Sequence, residues 1–282
     1  ARTIVVVGGP DSGKTNFIGR LWRALEMRAG AYESAAVPEN IEFVLDAAEH
    51  LLQGHFAPRS QREAGRRDFQ IAVRPRGGSA QTSIVIPDIH GELWRTAVLQ
   101  SELSPDWMGE LQRADGAFLF AGVQSDLNVR PLDWVNSKRL IAKLGPDPKR
   151  NELPTQVMLC ELLRFLELKL ATRADGSAPR VALMVSAWDL VDHETAAAGP
   201  EEYLRREYPL LSGRIDDIDG LDVRVFGVSV VGGDLQADQG YRDTFLETGL
   251  DGNGWVAIQE LPTGKWKRDP DLTLPIAWLV GD

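Results

Sequence analysis

TIVVVGGPDSGKTNFIGRLWRAL, residues 3–25, decides the fold because three local signals stand in a row. Thr3–Val7 is a short β-branched run, the composition of a parallel strand buried on both faces. Phe17, Ile18, Leu21, Trp22 and Leu25 recur at helical spacing. Between them, Gly8–Thr15 satisfies G-x-x-x-x-G-K-[ST] in full. Glycines at these positions let backbone N–H groups turn inward around a phosphate without a Cβ in the way. Gly13 and Lys14 open the helix, so its positive end faces the anion. Lys14 is expected to reach the β- and γ-phosphates, and the Thr15 hydroxyl to take one Mg²⁺ position. Gly8, Asp11, Ser12, Gly13, Lys14, Thr15 and Asn16 are therefore candidate nucleotide-binding residues.

Outward from this stretch the chain alternates between strand and helix signals. Pro38–Leu52 is predicted as a helix with Ile41, Val44, Leu45, Ala48, Leu51 and Leu52 on one face. Gly54–Gly65 is polar and arginine-rich and is predicted as a loop. Phe69–Arg74 and Thr82–Pro87 are predicted strands, joined as a hairpin through Pro75–Ser79. Ala117–Gly122, Arg180–Ala187 and Asp222–Val231 are further strands. Helices are expected around Trp134–Leu144, over Thr155–Ala171 and around Glu201–Leu211, with a closing helix in LTLPIAWLV. Asp251–Pro270 carries strand-like and turn-like pieces in no clear order. The alternation predicts an α/β fold, a doubly wound and mostly parallel sheet with helices on both faces. A single domain over 1–282 is expected, with an insert at about 123–153 and an extension at about 233–282.

The 282 residues carry a net charge of −10, which argues against nucleic acid or an anionic membrane surface as the main partner. One cysteine, Cys160, rules out an intrachain disulfide and a cysteine zinc cluster. No apolar run approaches a membrane span. The apolar run at the amino end becomes glycine-rich too soon for a secretion signal, so a reducing cytoplasm is the expected compartment.

Two later motifs fall where strands end. Asp88, in DIHGE, is placed to hold Mg²⁺ opposite the phosphate loop, and Gly91 to offer a bare N–H to a γ-phosphate. Asp189, in SAWD (Ser186–Asp189), can accept from the N1–H and N2–H of guanine, a pairing that adenine leaves unmade. The alternative for Asp189 is a helix N-cap. Ser229, in VSVVGG, or its backbone, could touch the base; a plain strand-end loop is the alternative.

The motif order GGPDSGKT, DIHG, SAWD and VSVVG resembles the Ras-like GTPases of the TRAFAC class, and ADGAFLFAG (114–122) looks like a strand of that fold. The insert after that strand, the DxxGE variant and the closing LPIAWLV resemble the bacterial double-GTPase family, paired GTPases of prokaryotic conflict-type gene neighbourhoods. The resemblance implies GTP and GDP as ligands, Mg²⁺ as cofactor and a second GTPase as partner. Three departures stand out. Ser186-Ala187-Trp188-Asp189 replaces N-K-x-D, so the lysine stem that covers the base is missing; Trp188 either compensates or is a core aromatic. Glu92 stands where the water-orienting glutamine is usual, and a carboxylate there adds charge beside the phosphates; His90 is another residue that could orient water. The switch threonine is not evident. Ser60 is the best candidate for the Mg²⁺ shell, and Arg59 beside it resembles a built-in arginine finger; a solvated basic loop is the alternative.

These features imply a GTP-binding switch with slow hydrolysis. A nucleotide-locked binding module without turnover, favoured by Glu92, and a P-loop ATPase, permitted by the missing lysine, are the competing readings.

Overall fold

A computed structural model describes residues 2–38, 41–57, 69–86, 91–103, 105–123, 125, 128, 153–260 and 262–281, with backbone alone at 43, 69, 86, 91–93, 95 and 106. The described strands form a nine-stranded sheet. Its centre is five parallel strands in the order β4 (Thr82–Ile86), β1 (Arg2–Gly8), β5 (Gly116–Gly122), β6 (Arg180–Ser186) and β7 (Asp222–Ser229). Two antiparallel pairs extend it. β3 (Phe69–Pro75) and β2 (Tyr32–Ser34) lie outside β4. β8 (Trp255–Glu260) and β9 (Lys265–Asp269) lie outside β7.

Alternation along the central strands divides the core in two. Val5, Val7, Leu119, Leu183 and Val185 face one side, against α3 (Gly91–Gln100), α4 (Pro105–Arg113) and α5 (Thr155–Lys169). Ile4, Val6, Phe118, Phe120, Ala182 and Met184 face the other, against α1 (Lys14–Glu26), α2 (Glu42–Leu52) and the closing helix Leu274–Val280. Both faces of each central strand are buried, which explains why they read as unbroken apolar runs. Ile4–Val7 are at most 3% exposed. At about 1.5–3 kcal/mol per fully buried side chain, this strand is a rigid base for the loop that follows it.

The expected hairpin is present: Val73 pairs with Thr82 and Phe69 with Ile86. The helix expected over Glu201–Leu211 is two helices, α7 (Pro200–Glu207) and α8 (Pro209–Asp216), after a short α6 (His193–Ala198). Pro209 ends the first one, because the residue before a proline is driven out of helical geometry; Tyr208 sits at φ −128°, ψ 52°. Its hydroxyl donates to the Gly122 carbonyl at the end of β5. The helix predicted from Pro38 begins at Glu42. The helix expected around Trp134–Leu144 lies outside the described residues. Asp251–Pro270, unplaced from sequence, holds the β8–β9 hairpin; it follows helix α9 (Gln239–Thr248). No helix among the described residues is long and apolar enough to cross a membrane.

Candidate functional site

Three strand ends meet at one edge of the sheet: β1 at Gly8, β6 at Ser186 and β7 at Ser229. This is the carboxyl edge of the parallel strands, where open α/β sheets bind ligands. The loop after β1 turns through Asp11 at φ 55° and Gly13 at φ 83°, and α1 starts on the next residue. A side chain at Gly13 would strain the backbone and lie 3.0 Å from Ser186. Inside the loop the Ser12 hydroxyl donates to the Gly9 carbonyl at 2.9 Å. Lys14 Nζ donates to the Gly8 carbonyl at 2.8 Å, to the Gly9 carbonyl, and to Ser12 Oγ at 3.1 Å. Burial pushes the Lys14 amine down to about 7, against the Asp11 carboxylate, which favours the charged form. The amine thus sits within the loop that would hold a phosphate. Among the described residues the Thr15 hydroxyl, on the first turn of α1, has no hydrogen-bond partner, which leaves it free to ligate Mg²⁺. Asn16 accepts from the Ala57 N–H at 2.9 Å and so ties α1 to the chain that leads to Arg59 and Ser60.

Ser186 joins this loop to the next motif. Its buried hydroxyl donates to the Ser12 carbonyl at 2.9 Å. A residue of the SAWD motif therefore braces the phosphate loop. Ala187 follows in left-handed geometry, φ 58°, ψ 37°. That turn sends Trp188 inward. The indole is 1% exposed and meets the Tyr203 ring edge-on at 5.3 Å. Gly227 has no room for a Cβ, which would lie 2.7 Å from the same indole. Trp188 is a core aromatic, and its ring is not open to a base.

Asp189 stays half-buried at the sheet edge. Burial pushes its carboxyl up from the ordinary value; Asp234 adds to this, while the Ser229 hydroxyl that donates to it and the Arg268 guanidinium oppose it. Ser229 is fully buried and its Oγ also accepts from the Gly232 N–H at 2.8 Å. Asp189 and Ser229 are thus brought together, with the loop after β7 fastened to them. A phosphate loop lies at one end of the edge and a fixed carboxylate acceptor at the other.

The profile of the Double-GTPase 1 family matches residues 5–279. The chain belongs to this family. Solved structures similar to it are the signal recognition particle receptor SRb-GTP/SRX complex from Chaetomium thermophilum and a bacterial selenocysteine-specific elongation factor, EF-Sec. The first shares 13% identity at a TM-score of 0.39 and covers 86% of this chain and 96% of its own. The second shares 13% identity at a TM-score of 0.35, with 86% of this chain and 27% of its own covered. No protein with a curated description matches the sequence.

Arg59, Ser60, Asp88 and His90 lie outside the described residues. Gly91 opens α3 with Glu92 next to it, and only their backbone is described. Sequence reasoning missed several neighbours of Asp189. Asp234 and Tyr241 interact with it electrostatically, and the Tyr241 hydroxyl donates to the Val231 carbonyl at 2.7 Å. Arg268 comes from β9, a strand with no apolar alternation to reveal it.

Proposed function

We propose that this chain binds GTP and GDP with Mg²⁺ and acts as a molecular switch with slow hydrolysis. What supports the reading is one contact, the Ser186 hydroxyl on the Ser12 carbonyl, which fixes the Asp189 segment to the phosphate loop. Phosphate and base ends are thereby held at a set separation. Lys14 and the loop amides take the phosphates; Asp189, backed by Ser229, accepts from guanine N1–H and N2–H. Thr15 and Asp88, with Ser60, are the candidate Mg²⁺ ligands; the metal would neutralise charge on the phosphate oxygens. Gly91 offers its N–H to the γ-phosphate, Glu92 orients water and Arg59 supplies positive charge there. The γ-phosphate would order the segments around Ser60 and Glu92, and its loss would release them. The family suggests a second GTPase as partner in a prokaryotic conflict-type system. The whole chain works as one domain in the cytoplasm.

A nucleotide-locked module without turnover is the second reading. Glu92 favours it, because an ionised carboxylate beside phosphates opposes the charge that develops there. Binding of GTP against ATP with Mg²⁺, followed by phosphate release over hours, tests both. Preference for GTP with slow release supports the switch. Preference for GTP with no release supports the locked module. Equal competition by ATP overturns the guanine assignment.

A further inference from the structure

One face of the sheet carries a row of side chains from the base acceptor to the last strand. Ser229, which donates to Asp189, ends β7 and pairs with Trp255 on β8. Trp255 and Ala257 share a face by the two-residue repeat, and Ala257 pairs with Arg268 on β9. Strands lie about 4.8 Å apart and residues rise about 3.3 Å along a strand, so Arg268, two strands over and two residues along, is anchored roughly 12 Å from Ser229, with a side chain long enough to lean back. It does lean back: its guanidinium lies over the Trp255 ring, 4.5 Å from the centroid. Among the described residues the Arg268 guanidinium makes no ion pair or hydrogen bond, so its N–H donors are unspent. Burial raises the Asp189 carboxyl and, with the Asp189 charge, the Tyr241 phenol; Arg268 opposes both rises, as a cation facing the same space would.

Guanine shows an acceptor, O6, next to the N1–H and N2–H donors. Adenine shows a donor, N6–H₂, in the place of O6. A carboxylate beside a cationic donor matches the first edge and opposes the second. A planar guanidinium parked on an indole is already ordered, which lowers the cost of fixing it on a ligand.

We propose that Arg268 is a specificity-determining residue, donating from its seat on Trp255 to guanine O6 while Asp189 accepts from N1–H and N2–H. It supplies from the carboxyl-terminal hairpin a cation that SAWD lacks. This rests on the guanine reading above.

The test compares GDP, 6-thio-GDP (whose sulfur is a weak acceptor), IDP (which keeps O6 and lacks the 2-amino group) and ADP, by competition against the wild-type chain and Arg268→Ala. Arg268→Ala should lose about tenfold for GDP and for IDP, and little for 6-thio-GDP. The ratio of GDP to 6-thio-GDP within one protein is the deciding number, because general destabilisation leaves it unchanged. Arg268→Lys should recover part of the ratio. An unchanged ratio in Arg268→Ala, with wild type preferring GDP to ADP, overturns this inference and leaves the guanine reading intact. Wild type binding ADP as well as GDP overturns both.

Discussion

Binding of MgGDP at pH 8 should take up a proton, and the proton should go to Lys14. In the protein without nucleotide the amine sits among the Gly8 and Gly9 carbonyls and Ser12 Oγ, and burial sets it at about 7. At pH 8 only about one Lys14 in ten is then charged. Phosphate oxygens favour the ammonium, so binding restores full protonation, with an uptake of about 0.9 proton at pH 8 and about 0.1 at pH 6. The sign follows from which state is perturbed. The value is low in the free protein and is raised on binding. Affinity is therefore flat below pH 7 and falls as pH rises through 7, until the bound-state value is reached. From pH 6 to pH 8 the loss from Lys14 is about tenfold. Calorimetry in buffers of different ionisation heat reads the proton directly. Nucleotide phosphates can only lose protons on entering a cationic site, so uptake cannot come from them. Release, or no exchange, at pH 8 in a protein that binds MgGDP would refute the account of Lys14.

Ser186→Ala leaves the Ser12 carbonyl without its donor, at about 1–3 kcal/mol for a buried group. Nucleotide affinity should drop about tenfold with selectivity among bases unchanged; a change in selectivity alone would place Ser186 at the base. Trp188→Ala should cost about 3–5 kcal/mol in denaturant unfolding, as expected for a large core aromatic. A near-zero cost would mean that the indole serves the ligand. Glu92→Gln should raise single-turnover phosphate release or leave it unchanged, since the amide orients water without added charge. A fall of about a hundredfold would make Glu92 a general base and the protein an active GTPase.

What the sequence reveals here is what is local. The run from Thr3 to Leu25 contains its own strand, turn and helix, and the structure reproduces that order. The place of Asp189 at the sheet edge was legible because it lies three residues beyond the end of an apolar strand. The contact that Ser186 makes was not legible, for the converse reason. Its partner, the Ser12 carbonyl, is 174 residues away, and only the β1–β5–β6 order brings the two together. The break before Pro209 did have a local signal in the proline itself. β9 had none: KWKRD is a charged edge strand, the composition that protects a sheet edge from further pairing and hides it from pattern reading. Arg268 was invisible with it.

The same long-range contacts bear on how a nucleotide would act. α1 starts at the phosphate loop and is fixed at two other points. Asn16 holds the Ala57 N–H, on the chain leading to Ser60. Arg20, 5% exposed, donates to the Leu250 carbonyl at 2.9 Å and to the Asn253 carbonyl at 2.6 Å, on the turn that enters β8 and Trp255. The Ser186 brace fixes the loop a third time, toward Asp189. Each end of the proposed site is therefore set by the sheet and α1, independently of any ligand. Little ordering of the phosphate loop or of Asp189 remains to oppose binding. The energy of nucleotide contacts is then available for affinity rather than for building these two ends of the site.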